Sequence, residues 1–319
     1  MKGRVRKQSE TKPAGAQKQS ARESAAPKPR AGIEASLRGA LTLVATPIGH
    51  ASDISLRALD AFRAADIIFC EDTRVTQRLL MLHGIGGKKL IAAHEHNERL
   101  RAEAILQRVR AGELVVYSSD AGLPCVSDPG QIIVQHLLQH GVEVKSIPGA
   151  NAALTALQIS GLPSDAFYFA GFLPSKSKAR RDMLLELKSL RATLLFHESP
   201  HRVIDSLEDM RSILGNRPAA MARELTKMHE EIRRGSIADL QKILGAKESI
   251  KGEIVLVIGA FSDLEEEMMD QAEIDRLLLE ARKTLSAREA AAIMSTKTGL
   301  PKRELYQRLL HLNDRKKSP

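Results

Sequence analysis

Residues 113–130 read ELVVYSSDAGLPCVSDPG: an apolar run, ELVVYSS, then two prolines, two glycines and two aspartates within the eleven residues Asp120–Gly130. The first seven residues have the character of a buried strand. The next eleven are dense in turn chemistry, because proline presets φ and glycine reaches conformations closed to other residues. In open α/β sheets, ligands bind in the crevice beyond the carboxyl ends of the strands. The stretch therefore predicts a strand–loop–helix unit whose loop faces a ligand.

Outward from it, the same alternation recurs. ALTLVAT (40–46), DIIFCE (66–71), KLIAAH (89–94) and VEVKSI (142–147) read as further strands. Helical stretches separate them: SLRALDAFRAA with Ser55 as N-cap, a helix through Leu79, Leu80 and Leu82, NERLRAEAILQRVRAG opened by Asn97, and QIIVQHLLQHG ending at Gly141. The pattern restarts after PGAN. The strands AFYFAGF, ATLLFHE, AAMARELT and GEIVLVIGAF alternate there with helices through AALTALQISG, KARRDMLLELKSL, HRVIDSLEDMRSILG and IADLQKILG. Such alternation predicts α/β layers with largely parallel pairing. Two α/β domains, 39–148 and 149–262, meet near Pro148 and Gly149. After an acidic stretch, three short helices over 270–313, with Gly299 in the last turn and Pro301 at a first helical position, have the form of a helix-turn-helix.

Composition narrows the function classes. Of 319 residues, 43% are hydrophobic and 27% charged, which suits a globular protein. Aromatics are 3% and Trp is absent, so the core is expected to be Leu, Ile, Val and Ala. The two cysteines, Cys70 and Cys125, form no CxxC; neither a disulfide framework nor a zinc site is expected, and a reducing, cytoplasmic location fits. The net charge of +9 is local: residues 1–39 hold ten Lys/Arg and three Asp/Glu, a net +7, which leaves +2 for the rest. Residues 1–38 lack apolar periodicity and read as a disordered basic tail without a secretory h-region. No apolar run approaches the ~18 residues a membrane span needs.

Polar clusters at the strand ends carry the chemistry. TPIGHASD (46–53), EDTR (71–74), HEHNE (94–98), the opening stretch, IPGANAA (147–153), FHESPHR (196–202) and ARELTKMHEE (222–231) all follow strands. None is a GxGxxG, a P-loop or a GxSxG elbow, so phosphate cradling and serine nucleophiles are unsupported. His94, His96 and Glu98 match no metal-ligand spacing, and no metal is expected.

Taken in order, LVATPIG…DIS, CEDTR, HEHNE, DAGLPCVSDPG, PGANAA…SGLP, FHESPHR and ARELTK resemble the tetrapyrrole methylase superfamily from about Leu41 to Phe261. Within it they resemble the branch that transfers methyl from S-adenosylmethionine to the ribose 2′-oxygen of a cytidine in the decoding centre of 16S rRNA. The C-terminal helices are similar to that branch's own extension. The pattern departs at His50, Leu123 and His197, where the family usually has Asn, Thr and Tyr.

The resemblance implies an α/β fold of two domains of the tetrapyrrole methylase type, with the cofactor cleft between them. It implies that Ser119, Asp120, Ala121, Leu123 and Val126 line S-adenosylmethionine, with Pro47, Asn151 and Ala152 beside them and Glu198, Ala222 and Glu253 on the second-domain wall. Glu71, Asp72, His201 and Glu224 are candidates for a base or orienter, which the sequence does not rank. Arg74, Arg202, Arg223 and Lys227 are candidates to hold RNA phosphates. The implied partners are 16S rRNA within the small ribosomal subunit and a second copy of the chain, without a membrane. Two alternatives stand beside this reading: a corrinoid-precursor methylase of the same superfamily, and a DNA-binding helix-turn-helix on an inert scaffold.

Overall fold

The computed structural model describes residues 32–247, 249–261, 274–283, 285–298 and 301–315. Helix α1 (Ile33–Leu37) opens the described chain and buries Leu37. Arg38 then donates to Asp66 Oδ2 at 3.3 Å and to the Gly112 carbonyl at 2.8 Å. The tail expected over 1–38 is therefore helical from residue 33 and docked through Leu37 and Arg38; residues 1–31 lie outside the described residues.

The first domain holds β1 (Ala40–Val44), β2 (Ile67–Cys70), β3 (Leu90–Ala92), β4 (Val115–Ser118) and β5 (Glu143–Ile147), in the order β3-β2-β4-β1-β5 and parallel throughout. Helices α2 (Leu56–Ala64), α3 (Thr73–Leu82), α4 (Glu98–Arg110) and α5 (Gln131–Gln139) cover both faces. Strand side chains alternate between faces. Ile68 and Val116 accordingly pack with Phe62 and Leu80, whereas Phe69, Val115 and Tyr117 pack with Ile105, Ile133 and Leu137. The chain leaves β1 toward β2 and leaves the adjacent β4 toward β5, on the opposite side. That divergence makes the β1/β4 edge a topological switch point, where a crevice opens.

The second domain begins with α6 (Ala152–Ser160). It continues through β6 (Phe167–Phe172), α7 (Ser177–Leu187), β7 (Thr193–Glu198), α8 (Val203–Leu214), β8 (Pro218–Arg223), β9 (Glu231–Ser236), α9 (Ile237–Gly245) and β10 (Ile254–Ile258). Its sheet runs β6-β7-β10-β8-β9, and only β6 and β7 pair in parallel. β10 is antiparallel to β7 and β8, and β8 is antiparallel to β9. The expected parallel pairing thus holds throughout the first sheet and fails in the second beyond β6 and β7. The strand β9, EIRRGS, has no apolar alternation, because it is an edge strand blunted by exposed Arg233 and Arg234. With β9 inserted, β8 turns back as a hairpin and β10 enters the sheet in the reverse sense.

Helices α7, α8 and α9 pack on one face of this sheet, around Leu194, Phe196, Met221 and Leu256. The other face meets α6, whose Ala153, Ala156 and Leu157 pack on Ala220, Val255 and Val257, and Ile48 of the first domain joins that cluster. A separate helical unit comprises α10 (274–281), α11 (Ala287–Thr298) and α12 (Lys302–Arg315), held by Leu278, Ala291, Met294, Leu305 and Leu309. Gly299 of the expected turn lies outside the described residues.

Candidate active site

The loops after β1 and β4 are clamped at the switch point. Thr46 N–H donates to the Gly122 carbonyl at 2.9 Å, Gly122 N–H returns a bond to Thr46 at 3.1 Å, and Thr46 Oγ1 donates to the Ser119 carbonyl at 3.2 Å. The second domain closes on the same place. His50 N–H donates to Thr226 Oγ1 at 3.0 Å. A Cβ at Gly49 would stand 2.8 Å from the Leu225 carbonyl oxygen, so only glycine permits the approach.

Between these loops lies a cavity of about 310 Å³. Its wall includes Ile48, Ala121, Leu123 and Val126 from the first domain and Phe172, His197, Ala222 and Leu225 from the second. The surrounding backbone is strained. Among the described residues, the non-glycines with positive φ are Cys125 (70°), Ser127 (63°), Glu224 (51°) and Thr226 (62°), two on each side of the cleft. Such strain persists where the fold holds it, commonly at ligand clamps. Gly130 ends the opening stretch for a steric reason: at φ 128°, a Cβ there would come within 2.7 Å of Cys125 Sγ and 2.8 Å of Tyr117 Cε1. Its N–H donates to the buried Glu98 carboxylate.

Of the residues expected at the cofactor, Ala121, Leu123, Val126, Asn151 and Ala152 line the cavity, as do Glu198, Ala222 and Glu253. Pro47, Ser119 and Asp120 are not on its wall. Pro47 is buried and its neighbour Ile48 reaches the cavity instead. Ser119 is also buried. Asp120 Oδ1 accepts the Asp72 N–H at 2.9 Å. The Asn151 side chain caps α6 through the Leu154 N–H at 2.8 Å.

None of the residues expected at the chemistry lines the cavity. Glu71 Oε2 accepts the Asp120 N–H at 3.3 Å, and burial raises its carboxyl above the usual range. Asp72 caps α3 and pairs with Arg74 at 2.6 Å; hydrogen bonds from Arg74 hold its carboxyl down at about 2. His201 sits exposed in the turn before α8. Arg202 is bound to the buried Glu198 at 2.6 Å and to the Leu173 carbonyl at 3.1 Å, and Ser206 Oγ donates to the same carboxylate at 2.5 Å. Glu224 accepts Lys227 Nζ at 2.9 Å and the Glu253 N–H at 3.0 Å, and these bonds, Lys227 first, lower its carboxyl. Of the four cations considered for phosphate, Arg202, Arg223 and Lys227 are engaged in ion pairs and mostly covered; Arg74, though paired, leaves 88% of its side chain exposed.

Asp128, Phe172 and His197 are among the wall residues that were not expected at the site from the motifs. Asp128 is absorbed in the turn sequence SDPG. Burial, then the Glu71 charge, raises its carboxyl to about 7; Ser119 hydrogen bonding offsets part of this, and Asp120 and Glu253 add to it. Phe172 reaches the wall because the β6/β7 register shifts between Phe169 and Phe172, and such irregularities re-aim side chains. His197 lies edge-on to Phe169 at 5.2 Å and tilted on Phe172 at 5.3 Å, and burial lowers its pKa.

Residues 40–241 match the family described as Tetrapyrrole (Corrin/Porphyrin) Methylases. The chain belongs to that family. Residues 269–313 match a second family, the RsmI C-terminal HTH domain. Among similar proteins, the "Ribosomal RNA small subunit methyltransferase I" of Mesorhizobium japonicum is 47% identical over 279 residues, covering 87% of this chain and 94% of that one. The protein of the same name from Escherichia coli O157:H7 is 42% identical over 272 residues, covering 85% and 94%. The fold is shared with uroporphyrin-III-C-methyltransferase from Thermus thermophilus, at TM-score 0.51 and 22% identity over 70% of this chain and 94% of that one. The methyltransferase CobJ gives TM-score 0.54 at 20% identity, with the same coverage.

As a tetrapyrrole methylase, the protein is a methyltransferase with S-adenosylmethionine as its donor. The residues present fit that group. The cavity lies within the size range of small-ligand sites, about 300–1,000 Å³. Its wall is largely apolar, and Asp128, with Glu71 and Asp120 behind it, gives one side the negative character that suits a sulfonium cation.

Proposed function

We propose that this tetrapyrrole methylase methylates the ribose 2′-oxygen of a cytidine in the decoding centre of 16S rRNA, on the small ribosomal subunit. The observation that carries this reading is a donor-sized cavity between two methylase domains in a chain that also bears a helix-turn-helix-type unit at residues 269–313. Relatives matched over 94% of their length carry the small-subunit rRNA methyltransferase name. The same unit weighs against a corrinoid-precursor methylase.

In this reading Ala121, Leu123, Val126 and Ala222 supply the apolar wall for the donor, which brings an already activated methyl group. Holding hydroxyl and methyl in line contributes up to about 7–11 kcal/mol. The Arg74 guanidinium, exposed beside its partner Asp72, supports a role in meeting an RNA phosphate. The protein acts as a homodimer in the cytoplasm; a monomeric mass by light scattering at micromolar concentration would contradict the dimer.

Mapping ribose methylation on small-subunit rRNA from a deletion strain tests the reaction. Loss of one 2′-O-methylcytidine, restored by the gene, is the expected result. An unchanged map refutes the reading, and methyl incorporation into a tetrapyrrole instead would favour the corrinoid alternative.

A further inference from the structure

Three carboxylates line the cavity: Asp128, Glu198 and Glu253. Two of them have cationic partners. Glu198 is fully covered and accepts from Arg202, Ser206 and the Ser199 N–H. Glu253 pairs with Lys227 at 3.1 Å. Among the described residues, Asp128 takes part in no ion pair. The groups that act on its carboxyl from the packed elements are Glu71 at the end of β2, Ser119 and Asp120 at the end of β4, and Glu253 ahead of β10. Cys125 and Tyr117 stand close enough for Asp128 to raise both of them. The charged members of this set are all acidic. The loop that carries Asp128 is held by the strained Cys125 and Ser127 and by the close-packed Gly130, so the carboxylate is fixed on the wall.

We propose that Asp128 is the catalytic base, accepting the proton of the acceptor hydroxyl as the hydroxyl oxygen is methylated. The proposal rests on the methyl-transfer reading above. As the oxygen–carbon bond forms, the carbon–sulfur bond breaks and its electron pair stays on sulfur, which loses its positive charge. The hydroxyl proton passes to the Asp128 carboxylate and from there to solvent. A carboxyl raised to about 7 is matched to this task near neutral pH, because a base works best when its pKa lies near the working pH. His197 is the rival on the same wall. Its ring is enclosed by Phe169 and Phe172, and burial opposes the imidazolium it would have to become.

The test compares wild type, Asp128→Asn and Asp128→Glu for single-turnover methyl transfer to small subunits at saturating donor, across pH 5–9. Donor affinity is measured separately by calorimetry. Asp128→Asn should lose about 10²–10⁴-fold in rate at saturating donor, while the donor still binds, more weakly because the charge that favours a sulfonium is gone. The wild-type rate should fall about tenfold per pH unit below a midpoint at or under 7, since a bound sulfonium favours the ionised carboxylate. Asp128→Glu should recover part of the rate. Asp128→Asn that keeps its rate and pH profile overturns the proposal, and loss in His197→Gln instead assigns the proton to the imidazole. Asp128→Asn that binds no donor also overturns it and makes Asp128 a donor-binding group. Wild type that binds donor but methylates no rRNA overturns the functional reading and, with it, the base.

Discussion

Asp120 Oδ1 accepts the backbone N–H of Asp72 at 2.9 Å, and the Asp120 N–H donates in return to Glu71 Oε2 at 3.3 Å. Residues about 50 positions apart thereby lock the loop after β2 to the loop after β4. Asp120 positions the cleft's rim and is not part of its wall.

Asp120→Ala removes the acceptor and leaves the Asp72 N–H unpaired, whereas Asp120→Asn keeps an oxygen there. Loss of a hydrogen bond to a charged group costs about 1.5–3 kcal/mol. The alanine variant is expected to bind S-adenosylmethionine roughly tenfold more weakly in calorimetry, with asparagine near wild type. A folded alanine variant of unchanged affinity would count against this role.

Gly49→Ala places a methyl group against the Leu225 carbonyl and Thr226 Oγ1. The two domains must then part at the mouth of the cleft. Both donor affinity and melting temperature should drop, while Gly86→Ala, where a Cβ meets nothing within 4 Å, should leave affinity unchanged.

Arg202→Ala leaves the fully covered Glu198 carboxylate without its cation. Removing one partner of a buried pair costs about 3–5 kcal/mol. Urea unfolding should show a midpoint far below wild type. A loss confined to activity would instead make Arg202 a substrate contact.

Asp128→Asn is expected to stabilise the protein at high pH. The wild-type carboxyl is raised to about 7 in the folded state, against ~3.9 when unfolded, so the folded state holds the proton more tightly. The destabilisation is absent below about pH 4, grows between 4 and 7, and is complete above 7. Melting curves should place the asparagine variant above wild type at pH 8 and level with it near pH 4. Equal melting temperatures at pH 8 would show that the carboxylate is not destabilised by its surroundings.

Removing residues 1–31 takes away nine Lys/Arg and two Asp/Glu but leaves α1 and the docked Leu37. Each lost phosphate contact reduces counterion release, so RNA affinity should weaken and its salt dependence flatten. The saturating single-turnover rate should stay near wild type, because the cavity lies wholly between Ile48 and Val255. A truncated enzyme that binds subunits normally but loses this rate would reverse that division.

The βα alternation of the first domain, the cap Ser55, the helices of the C-terminal unit and the loops that meet at the cleft were all legible in the chain alone. They arise from local periodicity, cap chemistry and the order of the motifs, and eight of the eleven expected donor residues do line the cavity. The sense of the second sheet came only with the folded molecule. β9 is an exposed, charged edge strand whose identity comes from hydrogen bonding to β8, and no apolar pattern announces it. The working state of each carboxylate was likewise out of reach. Glu198, Glu224 and Asp72 each have a cation two to four positions further along the chain, and the folded chain shows that each pair forms. Asp128 lies in the stretch that first suggested the fold, yet its character comes first from burial and then from Glu71, Asp120 and Glu253, brought together from three different loops. Local sequence sets what a side chain is, how its segment folds and which cations lie within a turn of it; burial, and for Asp128 the charges of Glu71 and Glu253, come from segments far apart in the chain.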